Sequence, residues 1–424
     1  MKHLAISLLI TTSVVYAEFY NDFQEEPHNY RSVAKRDPVT RLLDRIQAGE
    51  TAPLNEANGK PLVSRLLKEL DIPVESQVMV FTKTSLQRAV VNPGNPRAIY
   101  FNEDVYLGWM PGGRIEIGSI DPWMGSVFFF QRELDDTTSP VIAESGRCMG
   151  CHAGSATNYM PGPLGRSIYP AADGRSLRSL PHELAGHEVP MDQRWGGWYV
   201  TGQHGEMRHL GNAIATRENG QVRLDMDEHA NLASLSAFIQ PEAFPFGAKS
   251  DILALLILDH QIGIHNQLME AHYKARQAIF DYQVEDASQL DRMPEDAQRY
   301  YHRVARKLTD YLLFKSEASL GPNQLQGNSA YQEVFLKDRR QTSSGLSLKD
   351  LKLNGHMFEN RCSYMIYSEA FTKLPGAMKQ AVYQRIREIL TSPEPIRGFD
   401  YLSDEERARI GLILSETIPE FLSS

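Results

Sequence analysis

Two cysteines and a histidine stand within five residues of the chain, as Cys148-Met149-Gly150-Cys151-His152. At this spacing each thiol can form a thioether with one of the two vinyl groups of a porphyrin. The histidine that follows is then in place to give its imidazole to the iron on one face. The motif therefore predicts one covalently attached haem c, held by Cys148 and Cys151, with His152 as the proximal iron ligand.

A thiol redox pair and one half of a zinc site are the alternatives for this motif. A redox pair usually stands near a βαβ pattern, and no such pattern surrounds residues 148–152. A zinc site usually needs a second pair of ligands, whereas the only other cysteine is Cys362. Because three cysteines make no disulfide framework, we expect Cys362 to be a buried, unpaired thiol.

The first residues have the pattern of a secretory signal. A basic start is followed by an apolar run at residues 4–16, and Val15-Tyr16-Ala17 has the small-x-small form of a cleavage site. The run is shorter than the roughly 20 residues that span a bilayer. We therefore predict a bacterial signal peptide at residues 1–17, a periplasmic or secreted location, and no transmembrane segment after cleavage.

The composition is that of a folded globular protein. Hydrophobic residues make up 42% of the 424 residues and charged residues 23%, close to the usual values. The formal net charge is −9, and the sequence contains no basic stripe or tail. Nucleic-acid binding is therefore not expected.

Periodicity divides the rest of the chain into three parts. Residues 18–75 are polar with scattered helical signals, whereas residues 76–248 hold short β-prone runs between turn residues and include the haem motif. Residues 249–424 have helical spacing, which begins with a long run at residues 251–282 that has Ser250 as its predicted N-cap. We therefore predict an α+β fold, in which a β-containing middle unit with an embedded haem site is followed by a helical C-terminal region.

Four further segments accompany the haem motif. They are SQVMVFTKTSLQ at residues 76–87, YFNEDVYLGW at residues 100–109, RWGGWYVTG at residues 194–202 and CSYMIYS at residues 362–368. Together with the motif they resemble an uncharacterised family of bacterial single-haem proteins, described as cytochrome c domain-containing. The resemblance covers most of the mature chain and implies one shared architecture. It implies no particular reaction.

The sixth iron ligand decides between electron transfer and catalysis, and four residues are candidates for it. Met160 lies eight residues beyond His152, in a loop just long enough to pass around a porphyrin edge. His204 and His209 stand in a polar loop after a predicted strand, where hydrogen bonding near the haem or simple solvation are the alternatives. His260 is predicted on the apolar stripe of the long helix.

His260 lies near Gly263, which leaves room for a flat group to approach the helix. A core histidine that is hydrogen-bonded to a carbonyl is the alternative and the commoner outcome. His265 and His272 share a wetter stripe, and we expect them to be solvated or to contact the middle unit. Because the motif keeps its neighbours on one face of the porphyrin, we expect a distal ligand from a separate element, with Met160 as the local exception.

Taken together, these patterns predict an exported c-type cytochrome with one covalent haem and electron transfer as its function. Such a protein needs a redox partner protein, which the sequence does not identify. One alternative is a haem-dependent oxidoreductase, peroxidase-like or acting on a small molecule, which requires an open sixth site and a polar distal pocket. The other is a haem-based sensor in which the helical C-terminal region responds.

Overall fold

The structure, a computed structural model, describes residues 23–132, 142–227 and 229–422. The predicted signal peptide at residues 1–17 lies outside the described residues. The helices are α1 (Pro38–Gln47), α2 (Lys60–Glu69), α3 (Met149–His152), α4 (Ile252–Tyr282), α5 (Glu295–Leu312), α6 (Ser329–Lys337), α7 (Glu369–Thr372), α8 (Gly376–Thr391) and α9 (Asp404–Thr417). The strands are β1 (Val78–Val80), β2 (Arg97–Phe101), β3 (Val105–Trp109), β4 (Glu116–Asp121), β5 (Gly125–Gln131), β6 (Ile142–Glu144), β7 (Arg166–Pro170), β8 (Ser176–Leu184), β9 (Trp198–Tyr199), β10 (Ala215–Glu218), β11 (Gln221–Leu224), β12 (Leu351–Asn354) and β13 (His356–Phe358).

Seven of these strands form one antiparallel sheet in the order β6-β5-β4-β3-β2-β1-β9. Side chains alternate between its two faces along each strand. We call the face that packs towards α4 the inner face; it carries Val80, Arg97, Ile99, Tyr106, Gly108, Glu116, Gly118, Ser126, Phe128 and Trp198. The mixed fold with a helical C-terminal region is thus confirmed, with the antiparallel sheet as its β part.

The outer face of the sheet packs against the helices of residues 23–75. Pro38 begins α1, and the carboxylate of Asp37 accepts hydrogen bonds from the first free N–H groups of that helix. Leu42 of α1 and Leu62 and Leu66 of α2 are buried in one apolar cluster with Tyr100, Leu107, Ile117 and Phe129 of the sheet. The N-terminal helices therefore cover one side of the sheet.

Helix α4 begins one residue later than the sequence predicts. Asp251, not Ser250, is the N-cap, because its carboxylate accepts a hydrogen bond from Ala254 N. Ser250 joins two strands instead: its Oγ donates to Tyr199 O at 2.6 Å and accepts from Met79 N at 2.8 Å. The helix is thereby anchored at the end of the sheet.

The middle unit and the helical region share a core. Val80 and Trp198 of the inner face belong to the same buried cluster as Leu256 of α4, Leu308 of α5 and Ile386 of α8. Residues on both sides of the predicted boundary at 248/249 thus contribute to one hydrophobic core. No helix among the described residues has the length and apolar character needed to cross a membrane.

At the edge strand β9, a single residue, Asn212, bonds the backbone groups that face away from the sheet. Asn212 donates from its backbone N–H to Trp198 O at 2.9 Å. Its amide Oδ1 accepts from Val200 N at 2.7 Å, and its Nδ2 donates to Val200 O at 2.9 Å. A single asparagine, with φ of +70°, thus occupies the place of a neighbouring strand.

The space that Gly263 leaves beside α4 is filled by the ring of Tyr311 on α5, so no ligand can approach the helix there. A Cβ at position 263 would lie 1.9 Å from the Tyr311 hydroxyl oxygen. The hydroxyl group is directed at the carbonyl oxygen of His260, 3.4 Å away. The close approach of α4 and α5 therefore depends on this glycine.

We expect Gly263→Ala to lower the free energy of unfolding by about 1–3 kcal/mol, since the methyl group overpacks this contact. Urea unfolding followed by circular dichroism measures the change. Gly411→Ala on α9 is the matched control: its Cβ meets no atom within 4 Å, so stability should rise by roughly 0.5–1 kcal/mol. Adding Tyr311→Phe should restore part of the loss. Equal changes in the free energy of unfolding for Gly263→Ala and Gly411→Ala would contradict this account of the contact.

Candidate functional site

The Cys-x-x-Cys-His motif forms a single helical turn at α3, and this turn directs its side chains to two different surroundings. Cys148, Cys151 and His152 line a cavity of about 390 Å³. Met149 and Ala153 pack instead against a different apolar cluster. Because the two cysteines and the histidine reach the same cavity, one group bound there can contact all three. The volume lies within the range of small-molecule and cofactor pockets, about 300–1,000 Å³.

The orientation of the His152 imidazole is fixed by the loop that follows. Its Nδ1 lies 3.0 Å from Gly162 O, so Nδ1–H donates to the carbonyl and Nε2 keeps its lone pair. Nε2 has no hydrogen-bonding partner within the part of the chain that the structure describes. Gly162 N donates in turn to His152 O at 2.9 Å, and Asn266 of α4 leaves no space for a larger residue at position 162. This is the arrangement in which a histidine serves as a metal ligand.

Burial favours the ligating form of the imidazole. Desolvation lowers the pKa of His152 below its ordinary value, although the hydrogen bond to Gly162 opposes the shift. Phe128 packs beside the ring, with the two centroids 4.4 Å apart. The imidazole is therefore neutral at neutral pH, and the neutral form is the one that binds a metal.

The inner face of the sheet forms the floor of the cavity and carries glycine at two positions. Gly108 of β3 lies opposite Glu116, and Gly118 of β4 lies opposite Tyr106, so the two glycines are diagonal neighbours. A Cβ at Gly108 would meet the Arg97 side chain at 3.3 Å, and one at Gly118 would meet Phe128 at 3.4 Å. The side chains of Arg97 and Phe128 therefore pack over the two glycines and form the surface of the floor there.

The cavity carries an excess of positive charge. Five basic residues line it, with Glu116 as the sole carboxylate among the described lining residues: Lys83, Arg88, Arg97, Arg147 and Arg166. The whole chain has a net charge of −9. Basic residues are thus concentrated around this cavity, and guanidinium groups suit ligands that carry carboxylates.

The Cys148 thiol differs from that of a reactive cysteine. Burial raises the pKa of the Cys148 thiol, whereas reactive cysteines have a lowered thiol pKa. Cys151 is exposed and Cys148 is half-buried. Among the described residues no group of three or more His, Cys, Asp and Glu side chains is arranged to hold a metal ion. A haem iron needs only one ligand from such a motif, so that result does not bear on haem.

Known proteins give no family for this chain. Comparison finds no matching family model, no matching curated protein and no matching solved structure. The fit between the site and a covalent haem therefore rests on the residues themselves. The two thiols, the free Nε2 and the positive charge are all consistent with that group.

Met160 lies behind the motif and does not line the cavity. It is 8% exposed and packs with Phe23, Met124 and Tyr273. Met149 and Ala153 of the motif turn contact this cluster from the side opposite to the thiols. The loop after the haem motif thus places the methionine in an apolar core.

His204 and His209 are neither solvated nor part of the cavity lining. Their Nε2 atoms lie 3.2 Å apart, and His204 Nε2 also accepts from Asn231 N at 3.1 Å. Gly211 N donates to His209 Nδ1 at 3.0 Å. The two rings hold the polar loop together.

His260 is completely buried, and both of its ring nitrogens have protein partners. Nε2 lies 2.7 Å from Ser363 Oγ, and Nδ1 lies 2.9 Å from His187 Nδ1. Leu258 and Ile262, two residues before and after it, line the cavity, so the intervening His260 points elsewhere on the helix. His260 is therefore a core histidine, and its partners are the hydroxyl of Ser363 and the imidazole of His187.

The expectation that His265 and His272 are solvated is wrong, since both are fully buried. His265 Nδ1 lies 2.8 Å from the hydroxyl of Tyr106 in the middle unit, as the second alternative anticipates. His272 Nε2 donates to Ala370 O at 2.6 Å. Burial lowers the pKa of each to about 3.

Sequence patterns missed the residues of the cavity floor. Arg97, Gly108 and Glu116 fall in the predicted β-containing segment, residues 76–248, but nothing in its pattern marks them as functional. The hairpin of β7 and β8, which brings Arg166 to the cavity, was also not predicted. A polar residue alternating with apolar ones on a buried sheet is the signal that singles out Arg97 and Glu116 in retrospect.

We expect His260→Ala to leave the absorption spectrum of the haem protein unchanged. The variant should lose about 1–3 kcal/mol of stability, because it removes the partner of Ser363 and His187. Ser363→Ala breaks one of the same hydrogen bonds and should destabilise in the same direction. A change from a low-spin to a high-spin spectrum in His260→Ala, with the haem retained, would contradict the observed placement.

Proposed function

We propose that this protein is an exported c-type cytochrome that carries one covalent haem and transfers single electrons. The observation that carries the proposal is the convergence of Cys148, Cys151 and His152 on one cavity, with His152 Nδ1 bonded to Gly162 O at 3.0 Å. A thiol pair and an imidazole with a free Nε2 are the groups that haem attachment requires. The sequence pattern at residues 1–17 supports export.

Three of the four segments that resemble single-haem proteins supply residues to the cavity. Residues 76–87 contribute Val80 and Lys83, residues 100–109 contribute Tyr106 and Gly108, and residues 194–202 contribute Trp198. The shared sequence features thus coincide with the surroundings of the motif. This coincidence supports kinship with that family, centred on the haem site.

When bound, the haem supplies one-electron iron chemistry. Cys148 and Cys151 would hold it through two thioethers and His152 through its imidazole, and Phe128, Leu258 and Ile262 would supply apolar surface in the cavity. Cys151 is exposed, so a haem attached to it would be accessible from the surface. Such access would suit electron exchange with a partner protein.

Covalent attachment is tested by intact mass of the denatured protein, produced in a bacterial host with the haem-attachment machinery. The mature polypeptide should be heavier by one haem. Cys148→Ser combined with Cys151→Ser should abolish the added mass, since both thioethers are lost. Cys362→Ala is the matched control and should keep the haem, because that thiol is buried away from the cavity. A wild-type protein of unmodified mass would overturn the proposal.

A second candidate function is a haem-dependent oxidoreductase, in which a small molecule binds the iron and a partner supplies electrons. The observation that favours it is the composition of the cavity wall. His152 is the only histidine among the described lining residues, and no methionine is present there. Tyr106 adds a polar phenol, held by His265. An open sixth position beside polar groups is the requirement for such chemistry.

This candidate predicts a high-spin ferric spectrum and rapid binding of carbon monoxide by the ferrous protein. Both follow because no protein ligand has to be displaced from the iron. Absorption spectra with and without carbon monoxide are the measurement. Lys83→Ala is the informative variant, since Lys83 is a cavity residue with an amine. If the wild type is low-spin and Lys83→Ala makes it high-spin, the Lys83 amine is the sixth ligand. The oxidoreductase candidate is then excluded.

A further inference from the structure

Arg97 crosses the floor of the cavity instead of extending into solvent. It lies on β2, and its aliphatic chain passes over Gly108 of β3, whose Cβ would meet Arg97 Cδ at 3.3 Å. Nη1 then reaches Glu116 Oε2 on β4 at 2.6 Å. The Arg97 side chain is 18% exposed. The glycine thus provides the space that lets a guanidinium lie flat on the sheet.

Glu116 is itself held in place by the loop that follows β1. Gln87 Nε2 donates to Glu116 Oε1 at 3.1 Å and to Arg114 O at 2.8 Å. Gln87 Oε1 accepts from Arg114 N at 2.6 Å. Since two hydrogen bonds to the backbone of Arg114 fix the Gln87 amide, its third hydrogen bond restrains the Glu116 carboxylate. The guanidinium is therefore presented to the cavity in one orientation.

One donor of Arg97 has no partner. Its Nε is buried and makes no hydrogen bond within the described part of the chain. A guanidinium has five N–H groups in a planar fork that matches a carboxylate. Because Nε is closed off over Gly108, the 18% of the Arg97 side chain that is exposed lies on its other atoms, and Arg97 lines the cavity that the motif also faces. A carboxylate in the cavity is the ligand that fits the charge of this guanidinium.

We infer that Arg97 binds one of the two propionates of the haem and that Glu116 positions it for this purpose. The inference rests on the proposed function and adds the residue that orients the macrocycle on the sheet. Arg88, Arg147 and Arg166 are exposed, so water satisfies them. Arg97 and Lys83 are the partly buried cations of the cavity, and Arg97 is held by its ion pair with Glu116 before any ligand binds.

The test uses the haem-loaded full chain and two readouts, the midpoint reduction potential and the resonance Raman band of the propionate bending vibration. Arg97→Gln removes a positive charge that stabilises the more negative reduced state. The potential should fall, by on the order of tenfold in the reduction equilibrium or about 59 mV for one electron, and the Raman band should shift. Arg97→Lys keeps the charge but loses the fork, so the band should shift while most of the potential is retained.

Two further variants separate a direct contact from a general effect. Glu116→Gln removes a negative charge and should raise the potential. Arg65→Gln is the matched control, because Arg65 is also largely buried, pairs with Glu69 at 3.1 Å and lies on α2 outside the cavity. Neither readout should change in that variant.

The outcomes distinguish this inference from the proposed function. A wild type without covalent haem overturns both. If every variant carries haem by intact mass, and Arg97→Gln and Arg97→Lys leave the Raman band where it is, the inference alone is wrong. If Arg97→Gln fails to fold, Arg97→Lys still decides, because an unshifted band in that variant overturns the contact.

Discussion

The burial of helix α4 is the constraint on which the rest of the structure depends. The helix runs through the interior, and its polar side chains Asp259, His260, His265 and His272 are 7% exposed or less. Buried polar groups need partners, and each of the four has a different one. The partners are Trp195, Ser363, Tyr106 and the carbonyl of Ala370, respectively. These contacts fix the helix against both the sheet and the C-terminal region, and so hold its apolar residues Leu258 and Ile262 at the cavity.

This constraint explains which parts of the site are predictable from sequence. The motif at residues 148–152 is local, so its chemistry can be recognised without knowing the fold. The main strands and long helices also follow from periodicity, as at β3 and α4. A distal ligand depends instead on which way a side chain faces in a crowded interior. His260 satisfied every local criterion for a ligand, but its hydrogen bonds to Ser363 and His187 depend on segments far away in the chain.

The sheet divides its two faces between stability and the site. Its outer face is a continuous apolar surface against α1 and α2, where Tyr100 and Leu107 are fully buried. Its inner face interrupts the apolar pattern with Gly108, Glu116 and Arg97. Such residues reduce the apolar packing on the inner face, whereas the outer face of the same sheet remains apolar and packed. Polar and glycine positions in an otherwise apolar strand are therefore where sequence reasoning about function is best directed.

The asparagine that closes the edge at β9 has a consequence for behaviour at high concentration. An open sheet edge is a template on which another chain can add a strand, and this is a route to aggregation. At β9 the edge groups Trp198 O, Val200 N and Val200 O are already bonded to Asn212. The opposite edge strand, β6, has three residues within the part of the chain that the structure describes. Intermolecular strand pairing is therefore disfavoured at β9 by hydrogen bonding and at β6 by length, while the net charge of −9 keeps separate molecules apart.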